Sequence, residues 1–232
     1  MPAPFLSVVI PVLSEAAGIA AQLETLQAFR SKGAELILVD GGSDDNTPEL
    51  ARPLVDQFIV SARGRAVQMN TGARSSTGDA LLFLHADTLL PACADDCIRA
   101  AIDAGAVWGR FDIRIAGAHP MLRVVARMMN WRSRLTGIAT GDQAIFVRRS
   151  TFEQIGGYPE LPLMEDIALS TRLKRITAPG CLRACVVTSG RRWEKHGVMR
   201  TIFLMWRLRA AYFFGAAPDE LAARYGYPPQ AQ

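Results

Sequence analysis

Cysteine is scarce in this chain of 232 residues, with four in all, at positions 93, 97, 181 and 185. Neither pair has the two-residue gap of a zinc knuckle, and thiols of a cytosolic chain stay reduced. Cys93 and Cys97 suit one face of a helix, Cys181 and Cys185 one face of a strand, and all four read as small core residues. Long apolar runs are missing too: no stretch reaches the roughly 18 unbroken apolar residues of a bilayer-spanning helix. The opening segment MPAPFLSVVIPV has no basic residue ahead of its apolar run. That argues against a secretory leader and for a cytoplasmic location. No internal repeat, low-complexity segment or linker divides the chain, so residues 1–232 read as a single domain. The pattern GxxxxGK[ST] does not occur, which excludes a P-loop. Charge of one sign is in small excess only, 26 Lys and Arg against 22 Asp and Glu, net +4. Such a balance suits a phosphate-bearing ligand or an anionic membrane surface and gives no reason to expect nucleic acid. Half the residues are hydrophobic and 21% charged, which excludes wholesale disorder.

What is present is a regular alternation. FLSVVIPV is a β-branched run, followed by helical apolar spacing at Ile19, Leu23, Leu26 and Phe29 and a stop at Gly33. ELILVD, QFIVSA and DALLFLHAD repeat the strand signal, each separated by a turn and a helix. Continuous apolar strands alternating with helices predict an α/β fold with a mainly parallel sheet covered by helices on both faces. Ligands in such sheets bind beyond the carboxyl ends of the strands. Asp40, Asp87 and the loop holding Arg63 and Arg65 converge there. The second half is less regular, with strands in VWGRFDIRI, TGDQAIFVRR and CLRACVVTS. It also holds a basic amphipathic helix at HPMLRVVARMMNWRSRLTG and an aromatic-rich one at GVMRTIFLMWRLRAAYFFGAA.

Within LLFLHADTLLP, His85 and Asp87 are two residues apart, and a strand would place both side chains on one face. A neutral imidazole and a carboxylate so placed could hold a divalent cation, whereas in a loop Asp87 would simply cap the following helix.

Taken in order, SVVIPVLSE, VDGGSDDNT, GRAVQMNTGA, FLHADT, GDQAIFVRR, GGYPELPLMEDIALSTRLK and GRRWEKHG form a set that resembles the family 2 glycosyltransferases of the GT-A fold. The resemblance runs from about Leu6 to the helix before Gly215. Within the family it is closest in kind to a small bacterial branch associated with radical-SAM and selenium-linked proteins. It implies a nucleotide-sugar-binding half over about 5–115 and an acceptor half over about 116–215.

The resemblance also implies roles. Pro11, Glu15, Asp40, Arg65, His85 and Asp87 would line the donor site, with Asp40 on the nucleotide base and Arg65 on the diphosphate, which a planar guanidinium suits. Asp87 and His85 would hold the metal, and because His85 stands where the family has a first acid, Mn²⁺ is favoured over Mg²⁺. Asp166 would be the general base, with Glu165 as its orienting neighbour, giving inversion. Asp142, Gln143, Arg192 and Trp193 would line the acceptor side, although Trp193 could equally pack. Arg191-Arg192-Trp193 lacks the preceding glutamine of processive members, so polymer synthesis is not implied. A UDP-sugar is the favoured donor, with GDP open, and the acceptor is an unidentified hydroxyl compound, with a lipid-linked one among the candidates. The two basic helices could lie on the inner face of a membrane or pack in a core or homodimer.

Three rivals are weaker. A nucleotidyltransferase would carry a basic residue soon after the first strand, where PVLSEAAGIAAQ has none. A methyltransferase would carry a glycine-rich loop there. A non-catalytic nucleotide-sugar-binding module draws support from His85 alone, against Asp87 and the Glu165-Asp166 pair.

Overall fold

Two hydrophobic layers are built from the alternation of side chains along the same strands. The computed structural model describes residues 4–226, without the side chain of Arg192. Its strands are β1 (Leu6–Val12), β2 (Glu35–Asp40), β3 (Gln57–Val60), β4 (Ala80–Phe83), β5 (Thr88–Leu89), β6 (Trp108–Ile115), β7 (Ile145–Arg148) and β8 (Gly180–Thr188). They form one sheet in the order β3-β2-β1-β4-β7-β6-β8-β5. The first four strands pair in parallel, as expected from their apolar runs. β7 then runs antiparallel to both β4 and β6, and β8 returns parallel to β6 with a bulge between Phe111 and Asp112.

On one side, Val8, Ile10, Leu36 and Leu38 meet α1 (Ile19–Ser31), α4 (Ala94–Asp103) and α5 (Met121–Thr136). On the other, Val9, Ile37, Val39 and Leu81 meet α3 (Arg65–Ser75) and α7 (Glu165–Leu173). Covering both faces is what lets the strands be apolar throughout. α3 lies so close to the sheet that a Cβ on Gly72 would collide with Val9 Cγ1. The remaining helices are α2 (Thr47–Ala51), α6 (Arg149–Gln154), α8 (Arg191–His196), α9 (Val198–Phe213) and α10 (Pro218–Tyr225). Among the described residues, no helix is long and apolar enough to cross a membrane.

Two expectations need correction. β4 ends at Phe83, not at Asp87. After Leu84 donates a last bond to Val9, residues 85–88 close a turn in which the Thr88 N–H donates to the His85 carbonyl at 3.1 Å. The buried Gln22 amide holds the turn, donating to the carbonyls of His85 (2.8 Å) and Thr88 (3.1 Å). The cysteines are not core residues: Cys93 and Cys185 are exposed, and Cys97 and Cys181 only half-buried. β8 is wet along much of its length, and Cys93 and Cys97 sit at the exposed start of α4. No group of three His, Cys, Asp or Glu side chains gathers in metal-binding geometry among the described residues.

Candidate active site

The strand order reverses between β1 and β4, which opens a crevice at their carboxyl ends. Pro11 explains part of the opening. β1 pairs with β4 only as far as Val9, so the missing N–H of Pro11 falls beyond that ladder while its other edge still aligns with Val39. From α3, the Gln68 amide donates to the carbonyls of Val12 (2.7 Å) and Val39 (2.8 Å) and fixes the ends of β1 and β2 together.

The loops beyond those ends are knitted to each other. Asp40 is buried, and its Oδ2 accepts the N–H groups of Gly42 and Ser43, each at 3.0 Å, while its Oδ1 accepts the Ser43 hydroxyl. Gly42 can turn here because its φ is +86°, a conformation glycine adopts without strain. Ser14 takes a left-handed φ of 53° without being glycine, and its N–H donates to Ser43 Oγ at 2.8 Å. The N–H groups of Glu15 and Ala16 donate to Thr47 Oγ1 and Asp45 Oδ2. A carboxylate offers about four acceptor positions, and Asp40 has committed three to its own turn. It shapes the turn and keeps one acceptor position beyond those three bonds.

In the turn beyond β4, Asp87 lies close enough for its charge to bear on Glu15. Burial pushes the Glu15 carboxyl up, Arg191 opposes the shift, and the Asp87 and Asp45 charges reinforce it. Arg191 Nη2 lies 3.6 Å from Glu15 Oε2, delivered by the pairing of Thr88 with Thr188 and the short step from β8 into α8. Arg191 is thus the arginine of this motif that pairs with Glu15. The side chain of Arg192 lies outside the described residues, and Trp193 packs against the core between α5 and α9. His85 departs from expectation as well. Its Nδ1 stands 3.3 Å from Asp142 Oδ1, and its Nε2 rests against Gly141, where any Cβ would collide. Both ring nitrogens face the loop before β7, so the imidazole is not offered as a ligand beside Asp87. An oxygen-only set of Asp87 with Glu15 nearby fits a hard divalent ion that draws its other ligands from water and substrate phosphates.

A second cluster of acids is built at the start of α7. Met164 adopts a left-handed φ of 70° and swings Glu165 and Asp166 inward. Asp166 Oδ2 accepts the Gly141 N–H at 2.9 Å, and Oδ1 accepts the Ile167 N–H at 2.7 Å. Glu165 is buried, with its Oε1 3.5 Å from Arg65 Nη1. Burial raises both carboxyl groups above their ordinary range; Arg65 opposes this at each, and the backbone bonds oppose it at Asp166. Gln143 does not reach the site. It is fully buried and closes a capping box with Thr140, with its amide 3.5 Å from Asn130. Asn70 likewise brackets the Tyr158 backbone, bonding its carbonyl and its N–H at 2.9 Å each.

Three residues around the acids were not singled out from the sequence. Tyr158 is buried, and burial together with Asp166 and Glu165 holds its hydroxyl well above the ordinary tyrosine range. Tyr212 on α9 is raised by burial and by Asp166. Arg132 on α5 has its Nε and Nη2 buried without a partner, and the Asp166 charge bears on it. All three come from segments whose spacing reports packing faces, so only proximity to Asp166 in space reveals them.

The family profile described as "Glycosyl transferase family 2" matches residues 7–156, a span that includes the donor loops, the His85–Thr88 turn and Asp142. The chain belongs to glycosyl transferase family 2. A "PGL/p-HBAD biosynthesis glycosyltransferase" from Mycobacterium bovis is 33% identical over 176 residues, covering 68% of this chain. The chain spans 64% of the length of that relative. "Glycosyltransferase AglE" of Haloferax volcanii is 37% identical over 93 residues, covering 36% of this chain and 31% of its own. Among solved structures, the Pyrobaculum calidifontis mannosyltransferase PcManGT, in complex with GDP-Man and Mn²⁺, superposes with a TM-score of 0.64 at 23% identity. The match covers 98% of this chain and 66% of that one. S. aureus TarS in complex with UDP gives 0.63 at 16% identity, covering 79% and 60%. These likenesses establish the GT-A fold for the family 2 chain.

Proposed function

We propose that this family 2 chain transfers a glycosyl group from a nucleoside diphosphate sugar to an acceptor hydroxyl with inversion. The observation that carries the reading is the pair Glu165 and Asp166, raised in pKa and fixed across the crevice from the donor loops. Asp166 takes the acceptor proton as the new bond forms at the anomeric carbon and the bond to the diphosphate breaks. Its two backbone hydrogen bonds fix the carboxylate, and its raised pKa strengthens it as a base near neutral pH. Glu165, tied to Arg65, holds the guanidinium beside the departing diphosphate.

The Asp40 turn and the Ser14–Ala16 loop present backbone to the nucleoside, and Arg191 adds positive charge at the mouth. Asp87, with Glu15 beside it, would hold a divalent cation, which when bound would neutralise charge on the leaving diphosphate. Because His85 faces Asp142, nothing in this donor set favours Mn²⁺ over Mg²⁺. A non-catalytic module still draws support from His85 alone, against Asp87 and the Glu165-Asp166 pair. Both halves of the chain contribute strands to one sheet, which supports reading them as one catalytic unit. UDP remains the favoured donor nucleotide, with GDP the alternative that the mannosyltransferase neighbour keeps in play.

Calorimetric titration of UDP and of GDP, with Mn²⁺, with Mg²⁺ and with chelator, tests the donor half. Metal-dependent binding of one nucleotide that disappears in Asp87→Ala is the expected result. Binding of neither nucleotide would overturn the reading.

A further inference from the structure

α5 and α9 carry no acidic residue, yet between them they carry Arg123, Arg127, Arg132, Arg134, Arg200, Arg207 and Arg209. Their inner faces share a core: Leu122 and Ala126 of α5 and Val198 of α9 are buried in one cluster, with Ile202 packed against it. The first turns of α9 therefore lie on the same side of the sheet as α5, while Leu204, Leu208 and Tyr212 further along pack with Leu163, Met164 and Ile167 around the start of α7. The outer faces of α5 and α9 are apolar where a soluble surface would be polar. On α5, Val124, Met128, Trp131 and Leu135 repeat at alternating four- and three-residue steps, with Trp131 59% exposed. On α9, Met199, Phe203, Trp206 and Phe213 follow the same rhythm, with Trp206 63% exposed. Exposed arginines at 123, 127, 200 and 207 stand one position from this stripe. Arg134 is spent on Asp112, which it contacts at 2.8 Å through both Nη atoms.

An apolar stripe edged only by arginines is the pattern of a helix lying in the plane of a bilayer interface, where tryptophan sits at headgroup depth and arginine reaches the phosphates. A second copy of this chain fits worse. A two-fold dimer sets the same patch against itself and brings its arginines together, with Glu194 of α8 and Asp219 and Glu220 of α10 the acids on the adjoining helices. Neither helix is long and apolar enough to cross a bilayer.

We propose that the outer faces of α5 and α9 seat this protein on an anionic lipid surface. Asp166 then lies just behind the docked helices, since Arg132 of α5 and Tyr212 of α9 both sense its charge. Docking does not depend on the glycosyl-transfer reading, and its test uses neither nucleotide nor metal.

The test is co-flotation of the full chain with vesicles of phosphatidylcholine alone, or with about a third phosphatidylglycerol. The expected result is flotation with anionic vesicles only, weakening as added salt shortens the Debye length. The Trp131→Glu/Trp206→Glu variant should lose about tenfold or more of that binding, since both apolar anchors become acids. Its unchanged melting temperature and circular dichroism spectrum would show that the fold is intact. Wild-type protein left at the bottom of the gradient with anionic vesicles would overturn the proposal, as would a double variant that floats equally well. Light scattering that shows a dimer, broken by the same substitutions in protein that does not float, would assign the patch to a second copy.

Discussion

Arg65 Nη1 lies 3.5 Å from Glu165 Oε1, linking the first residue of α3 to the first residue of α7. One guanidinium thus ties the start of α3, beside the first strands of the sheet, to the acids at the start of α7. Its side chain is 42% exposed against 6% for Glu165, so the arginine is reachable by a ligand while its partner is not. Arg65→Met should therefore lower kcat/KM by roughly 10–100-fold, the equivalent of about 1.5–3 kcal/mol for a charge-assisted bond. The Glu165 carboxyl, relieved of its nearest positive charge, should titrate higher still and move the acid limb of the pH profile upward. A drop in rate with an unmoved acid limb would detach Arg65 from the acids.

The contact of His85 with Asp142 separates two roles that the histidine could have played. As a metal ligand, its loss would weaken nucleotide binding in the presence of metal. As the residue that seats Gly141, whose N–H holds Asp166, its loss would act on turnover. His85→Asn is expected to leave metal-dependent nucleotide affinity within about threefold while turnover falls. Calorimetry beside a turnover assay makes the distinction, and a large loss of affinity in His85→Asn would return the imidazole to the metal.

Asp166→Asn should cut turnover about 10²–10⁴-fold, the usual contribution of a positioned base, with nucleotide affinity retained. The substitution also has a stability signature. A carboxyl whose folded pKa is raised binds its proton more tightly in the native state. Its contribution to stability is therefore present below the ordinary aspartate range and is lost as pH rises through to the raised value. Thermal melts across that acidic window should fall less steeply in Asp166→Asn than in wild type. Parallel curves would mean that Asp166 titrates as an ordinary surface acid.

The parallel half of the fold was legible because its signal is local. Apolar runs of four to eight residues, each ending in a turn, mark β1 through β4 without any tertiary knowledge. The antiparallel insertion of β7 between β4 and β6 carries no such mark, since a short buried strand reads alike in either direction. At the candidate site, Asp87, Glu165 and Asp166 stand in motifs that the sequence displays. Gln143 was misplaced because a capping box and a ligand contact ask for the same side chain. His85 was misplaced because the strand stops four residues before Asp87, and a turn does not keep the period-two rule. Arg132 of α5, Tyr158 ahead of α7 and Tyr212 of α9 are drawn around Asp166 only through packing, which no spacing encodes.

Gly72 offers a test of how far the donor site depends on that packing. A methyl group there would collide with Val9 Cγ1 and stand 3.0 Å from Val39 Cγ2, pushing α3 off β1 and β2. Overpacking of this kind costs about 1–3 kcal/mol, more than the helix propensity of alanine returns. Gly72→Ala should melt roughly 2–8 °C lower. Because Gln68 on the same helix holds the ends of β1 and β2, nucleotide affinity should weaken with it. Undiminished melting would show that α3 can move away without cost.

Arg132 is the other place where stability and activity should part. Its Nε and Nη2 are buried with no partner, a state that costs about 1–3 kcal/mol for each donor left unsatisfied. Burial lowers its pKa and the Asp166 charge opposes that shift, so the two groups interact electrostatically although they form no hydrogen bond. A methionine of similar length keeps the aliphatic packing and removes the donors. Arg132→Met should therefore raise the melting temperature, by about 2–4 °C for each kcal/mol recovered in a chain of this size. Asp166 would lose a favourable positive charge in the same step, so its carboxyl should titrate higher and the acid limb of turnover should move up. A variant that melts lower with the acid limb in place would make Arg132 a packing residue. A variant that melts higher while the limb moves would mean that the chain keeps a destabilising cation beside its base because the base needs it.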